Sequence, residues 1–261
     1  MNGIDVYTGQ GVIDWKKVAD SGIRFAMIKA TQGRGETAAT MKLRNFTDSK
    51  FARNITEASA AGLMVGVWHW LTAKTVAEAE EEADYFVKVI SPYRDKITLW
   101  AAADVESERY LGSLKPVELT AITKAFLNRL SRNEYKVMLY TNPNFLKYRF
   151  TANAFGDVDI WLAHYNVAKP MSVPNLKIWQ RSAGTVPGIK TSVDLDIGYF
   201  SAPKYKINEK YNIGDKYTIK AGDVYSNGAA IPQRLIGKTY TVYRVQVDRI
   251  MLREINSWVK T

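Results

Sequence analysis

The sequence predicts an α/β protein, an irregular (β/α)8-type barrel with an incomplete helical coat, followed by a small C-terminal all-β barrel. Three observations carry this. Eight short strand-like runs lie between residues 3 and 200, and the first five are separated by segments whose apolar residues recur at helical spacing. Strands alternating with helices make a parallel sheet, and eight in one unit of this length make a barrel. After residue 203 the helical spacing disappears, and short Tyr- and Val-rich runs broken by Gly, Asn and Asp take over. A barrel over 1–202 and a β module over 203–261 are therefore expected.

The first run, GIDVY, places Ile4 and Val6 on one face and Asp5 on the other. IDWKKVADSG reads as a helix capped by Asp14 and stopped at Gly22. RFAMIKA is the second strand, with Lys29 near its end; a polar rim loop is expected from Thr31 to Thr47, and its GRGE lacks the Lys-Ser/Thr ending of a phosphate loop. Residues 48–62 read as a helix with Phe51, Ile55, Ala58 and Ala61 inward. LMVGVWHW follows as a strand on which His69 faces opposite to Trp68 and Trp70. The next helix, 75–90, carries an apolar stripe, and its run Glu80 to Glu82 is expected to be a solvated face.

ITLWAAADVE, residues 97–106, is the expected fourth strand, and it ends in two carboxylates with one residue between them. Alternation puts Asp104 and Glu106 on one face, with Cα atoms roughly 6.5 to 7 Å apart. Such a pair suits glycosidic bond cleavage, in which one carboxyl donates a proton to the leaving oxygen and the other, ionised, faces the positive charge that develops on the sugar. An acidic loop after a buried strand would carry the same two residues. A helix over 116–133 precedes the strands YKVMLYT, DIWLAHY, LKIWQ and SVDLDIGYF. The last of these are joined by NVAKPMSVPN and RSAGTVPGIKT, which have no helical periodicity, so the coat is incomplete there. Asp5, Lys29, Trp70, Asp104, Glu106, Tyr140, Tyr165, Gln180 and Asp194 all fall near the C-terminal ends of strands, the face on which barrels of this kind build their sites.

Composition narrows the chemistry. The chain has no cysteine, which excludes disulfides, thiolate nucleophiles and zinc-thiolate sites, and its two histidines leave little material for a metal centre or a serine triad. Neither a metal nor a cofactor is expected. The N-terminus lacks the basic start and apolar run of a secretory signal, and no run of 18 apolar residues occurs, so cytoplasmic synthesis without membrane insertion is expected. The formal charge is +10; residues 205–261 hold 10 Lys+Arg against 5 Asp+Glu, and the much longer remainder holds 26 against 21. The short module is therefore the denser in positive charge, which favours polyanionic partners such as phosphate-rich wall polymers. Nucleic acid would explain the charge but would be repelled by the carboxylates, and is not expected as a partner.

Taken in order, GIDVYTGQGVIDWKKVADSGIRFAMIKATQG, the DxxFxxN of Asp48, Phe51 and Asn54, AGLMVGVWHW, the DVE of 104–106, IWLAHY, IWQ and the closing VDLD resemble glycoside hydrolase family 25, the Chalaropsis-type lysozymes common as phage endolysins. The resemblance spans about residues 2–200. It implies a muramidase that cuts the β-1,4 bond between N-acetylmuramic acid and N-acetylglucosamine in bacterial peptidoglycan with retention. By motif, Glu106 is the proton donor, Asp104 its carboxylate partner, and Asp5 and Asp194 complete an acidic cluster, while Lys29, Trp70, Tyr140, Tyr165 and Gln180 fall on sugar-contacting positions. Trp68 departs from the usual Tyr, and Ala103 from a bulkier residue. Residues 203–261 resemble the SH3-like modules that hold endolysins on the wall, with Tyr225, Tyr240, Tyr243 and Trp258 as candidates for a ligand groove. A cytoplasmic enzyme released to the wall with the help of a holin is the implied setting. A non-catalytic wall binder on the same scaffold is the alternative, and it would need neither Asp104 nor Glu106. Chitin-like substrates fit less well, because those barrels carry acids where this chain has Ala101 to Ala103.

Overall fold

The computed structural model describes residues 1–33, 46–201, 210–212, 214–246, 249–255 and 257–261. Most of the GRGE loop and the first residues of the expected β module lie outside them. The chain divides into two compact units, Met1–Phe200 and Ser201–Thr261.

The first unit is built on a closed sheet. Its strands are β1 (Asn2–Val6), β2 (Phe25–Gln32), β3 (Phe46–Thr47), β4 (Met64–Trp70), β5 (Ala101–Asp104), β6 (Val137–Thr141), β7 (Asp159–Ala163), β8 (Leu176–Gly184) and β9 (Val193–Gly198). Around the barrel the order is β1, β9, β8, β7, β6, β5, β4, β2, closed by pairing of β2 with β1, and β3 is appended to β2. Helices α1 (Trp15–Asp20), α2 (Phe51–Ala60), α3 (Val76–Ile90), α4 (Glu108–Leu111) and α5 (Pro116–Arg132) cover part of the outside. Among the described residues no α-helix follows β6, so the coat is incomplete where the sequence loses helical spacing.

The period of two along each strand sorts the core into two clusters. Ile4, Val6, Ala26, Ile28, Val65, Val67, Ala101, Ala103 and Leu139 point outward to the helices. Phe25, Met27, Trp68, Ala102, Met138, Trp161 and Ile178 fill the barrel. Two glycines make room inside it: a Cβ on Gly3 would lie 2.2 Å from the Phe25 ring, and one on Gly66 2.3 Å from Met27 Sδ. The capping signals hold as well. Asp14 accepts the Lys17 N–H at 3.1 Å at the start of α1, and Gly22 ends that turn with φ 97°.

Several expectations are corrected. The stretch Thr31 to Thr47 is not a loop throughout, because Thr31 and Gln32 continue β2 and pair with Thr47 and Phe46 of β3. The fourth strand is shorter than 97–106; Thr98 and Leu99 both donate to Val65 O, so the regular ladder begins only at Ala101. A short helix, α4, stands between the two carboxylates and the helix expected from 116, where the sequence reading has no element. The eighth barrel strand, β9, runs antiparallel to both β8 and β1 instead of parallel. The expected solvated face of α3 is also wrong at Glu82, which is 1% exposed. Its carboxylate accepts from His69 Nε2 at 2.8 Å and from Thr72 N and Oγ1 at 3.0 and 2.6 Å.

The second unit is a four-stranded antiparallel sheet of β10 (Lys216–Thr218), β11 (Thr239–Gln246), β12 (Arg249–Leu252) and β13 (Ser257–Lys260). It has its own core, including Tyr217, Ile219, Val242, Ile250, Leu252 and Val259. Tyr240 belongs to that core, whereas Tyr225 and Trp258 line a hollow of about 280 Å³ with Ser226, Asn227 and Ser257.

Candidate active site

The inward residues at one end of the barrel strands are not apolar. Gly3 and Asp5 alternate with Ile4 on β1, and Lys29 follows Phe25 and Met27 on the inner face of β2. On β5, Asp104 follows Ala102, and on β6, Tyr140 follows Met138. Strand β9 reaches the same end by its reversed direction. Asp194 is at its start, paired with Asp5 of β1, so it stands at the mouth although it precedes its strand's core. A parallel strand with the same sequence would have carried Asp194 to the opposite end.

The nine side chains that the sequence placed near strand ends are gathered at this mouth, at two depths. Asp5, Lys29, Asp104, Tyr140 and Gln180 are buried, with Gln180 only 3% exposed. Glu106, Asp194 and Trp70 are partly open, and Tyr165 is exposed. Trp70 stands edge-on to Tyr110 of α4 with ring centroids 6.2 Å apart, which gives the rim an aromatic corner that the sequence reading did not include.

Hydrogen bonds tie the set together. Gln180 Nε2 donates to Asp5 Oδ2 at 2.7 Å. Its Oε1 receives Tyr140 Oη at 3.0 Å and Tyr165 Oη at 2.8 Å. Tyr165 Oη is also 3.0 Å from Asp194 Oδ1, and Tyr140 Oη is 3.4 Å from Glu106 Oε2. Lys29 Nζ donates to Gln32 Oε1 at 3.1 Å and lies 5.0 and 4.5 Å from the Trp68 and Trp70 rings, within cation–π range.

Crowding of acids in a dry pocket decides their protonation. Burial pushes the Glu106 carboxyl above the usual range, and the neighbouring Asp194 adds to it, while the Tyr140 hydroxyl acts the other way. Asp104 is pushed well up by burial and then by Glu106, with Lys29 opposing. Asp5 is raised by burial and by Asp194. Burial lowers the Lys29 ammonium to about 8, against the pull of Asp104 and Asp48. In such a site the acids cannot all be ionised together, and a partly open one that keeps its proton can donate it, as acid-assisted bond cleavage needs.

The site also includes residues that the sequence reading passed over. Asp196, 1% exposed, accepts Trp161 Nε1–H at 2.9 Å directly beneath the cluster. The signal was present, since it is two residues from Asp194 and must share its face. Asp48 of the DxxFxxN motif is buried and structural, accepting Thr8 N at 2.7 Å and Lys50 N at 2.8 Å. Among the described residues no group of three or more His, Asp and Glu side chains is arranged to hold a metal ion.

The fold is shared with known proteins. The description glycosyl hydrolases family 25 matches residues 4–189. The chain is 32% identical over 197 residues to the autolytic lysozyme of Clostridium acetobutylicum, covering 75% of this chain and 55% of that protein. It is 30% identical over 206 residues to lysozyme M1 of Streptomyces globisporus, covering 74% and 66%. It therefore spans between about half and two thirds of the length of these relatives. Among solved structures, the bacterial lysozyme from Streptomyces coelicolor superposes with a TM-score of 0.65 at 26% identity, covering 77% of this chain and 93% of that one.

Proposed function

Because the chain belongs to glycosyl hydrolases family 25, we propose that it is a muramidase, cleaving the β-1,4 bond between N-acetylmuramic acid and N-acetylglucosamine of peptidoglycan with retention. The observation that carries the reading is the pairing of Glu106, open enough to meet substrate and raised by its surroundings, with the buried Asp104 at the same mouth. Glu106 gives its proton to the glycosidic oxygen as the C1–O bond breaks and the electron pair leaves with that oxygen. Asp104 faces the positive charge that develops at C1. Glu106, now ionised, takes a proton from a water whose oxygen bonds to C1 on the face that the leaving group left, and so returns to its protonated state. Trp70 and Tyr165 at the rim offer faces for sugar rings, and burial, with Asp194 adding to it, holds the Glu106 carboxyl above its ordinary range.

The second unit is proposed to hold the enzyme on the wall in the manner of an SH3-like module, with its excess of positive charge meeting anionic wall polymers. Synthesis in a host bacterial cytoplasm and release to the wall with a holin, as an endolysin or autolysin, is the setting we propose for it.

Glu106→Gln keeps the shape and removes the proton. It is expected to lower the release of reducing ends from purified peptidoglycan by about 100-fold or more with an unchanged melting profile. Undiminished turnover would remove Glu106 from the role, and mass spectrometry of wild-type products should place the new reducing end on muramic acid.

A further inference from the structure

Beneath the four acids lies a fifth carboxyl with an incomplete set of bonds. Asp196 sits on the inner face of β9, opposite Gly3 of β1 and Gln180 of β8. One of its oxygens accepts the Trp161 Nε1–H at 2.9 Å, and the other meets no N–H or O–H donor among the described residues. The diagonal neighbour of Asp196 is the carboxyl of Asp5, two residues on from Gly3 along the same inward face of β1. Asp5 is itself 6% exposed and already accepts from Gln180. Two buried carboxylates in that position repel each other and leave an acceptor unsatisfied; one proton between them removes the repulsion and supplies the missing bond.

We infer that Asp196 is a positioning residue of the site that shares one proton with Asp5, donating it as a hydrogen bond and leaving Asp5 ionised against Gln180. Burial and then Asp5 hold Asp196 well above the ordinary carboxyl range, in the same sense. The other titratable groups that face the pair are Asp194 on the same strand, Glu106 and Asp104 at the end of β5, and Tyr140 and Tyr165 from β6 and the segment after β7. Lys29 of β2 places its charge against Asp104 and Asp48.

The consequence runs outward along the hydrogen bonds. An ionised Asp5 accepts only, so it fixes the Gln180 amide with NH2 towards Asp5 and Oε1 towards the two tyrosines. Each phenol has one hydrogen. While Tyr140 donates it to Gln180, its oxygen is free to accept from a protonated Glu106; once Glu106 has given up its proton, the same hydroxyl can turn and donate to it. Tyr165 is divided between Gln180 and Asp194 in the same way. The proton held at Asp196 therefore sets the sense of a chain that ends on the proton donor.

Asp196→Asn imitates the protonated acid, since its amide oxygen can accept from Trp161 and its NH2 can donate to Asp5. The infrared difference between wild type and this variant at pH 7 is expected to show the loss of the C=O band of a protonated carboxyl. Loss of an ionised carboxylate band in its place would overturn the inference. Asp196→Ala, which offers Asp5 no donor, is expected to lose about tenfold in kcat/KM, about the worth of one hydrogen bond, and the Asn variant to recover most of it. An Asn variant that folds yet is as impaired as Ala would also overturn it. The kinetic arm rests on the muramidase reading, whereas the infrared arm reads the proton whether or not the substrate is peptidoglycan.

Discussion

Lys29 is a cation placed where water barely reaches it, 4% exposed beneath Trp68 and Trp70. The resemblance implies a sugar contact at this position, but the burial gives the residue an electrostatic task. Its charge opposes the burial and the Glu106 carboxylate that push Asp104 upward. Lys29→Met keeps the length and removes the charge, so Asp104 should ionise at higher pH and the acid limb of kcat/KM should move up. A several-fold fall in kcat/KM at mildly acid pH is expected, in the direction that loss of the Lys29 charge moves Asp104. An acid limb that stays in place would separate Lys29 from Asp104. Stability gives an independent reading. Folding depresses this ammonium from 10.5 to about 8, so between those values the unfolded chain binds more protons than the folded one. The cost of burying the charge is fully present below pH 8 and is relieved as pH rises towards 10.5. The melting temperature of the Met variant relative to wild type should accordingly be highest near neutral pH and should decline through that window.

At the scale of elements, α3 is fastened to the barrel by a polar contact within an apolar interface. His69 Nδ1 is 2.7 Å from Thr31 Oγ1 on β2, and its Nε2 is 2.8 Å from Glu82 on α3, so one imidazole joins two strands and a helix. Burial lowers the His69 pKa, which leaves the ring neutral, with Nε2–H donating to Glu82 and Nδ1 accepting from Thr31. Glu82 also holds the first residues after β4 through Thr72, immediately beyond the site residue Trp70. Glu82→Ala would orphan His69 Nε2 and the Thr72 N–H together, at a cost of about 3 kcal/mol, or a fall of about 6–12 °C in melting temperature for a unit of this size. An unchanged melt would show that the contact contributes nothing. Glu82 also marks where the sequence was misread. It lies three residues after Ala79 and four before Phe86, inside the buried stripe by spacing, and only its charge argued for solvent. The direction of β9 was harder to read: the expected connection RSAGTVPGIKT, 181–191, comes close to the dozen or so residues a parallel crossover requires, and only because β8 runs on to Gly184 is the actual segment, 185–192, too short for one. The inward faces of the strands and the site residues on them were readable because alternation by two is local; Glu106 and Tyr165 lie just past the ends of β5 and β7. Asp196 shares the face of Asp194 by the same spacing, but its place beside Asp5 and the Gln180 hub depend on which strands become neighbours, and no local spacing states that.

At the scale of the whole molecule, two compact units divide the chain, each with a core of its own. The nine residues of the site and the Asp196 beneath them all belong to the first, while the second carries a net +5 over residues 205–261. Positive charge on a small module attracts a polyanionic surface over about a Debye length, roughly 8–10 Å at moderate salt, and is progressively screened as salt rises. If the second unit holds the enzyme on the wall, its removal should separate two measurements that are otherwise linked. Deletion of 205–261 is expected to leave cleavage of soluble peptidoglycan fragments largely intact, because those fragments need only the barrel mouth. Pelleting with whole cells should fall in the deleted chain, and in the full chain it should weaken as salt is raised. Equal pelleting of the two chains would remove the second unit from that role. A parallel loss of activity on soluble fragments would instead mean that the barrel depends on the second unit for its own integrity, which its separate core argues against.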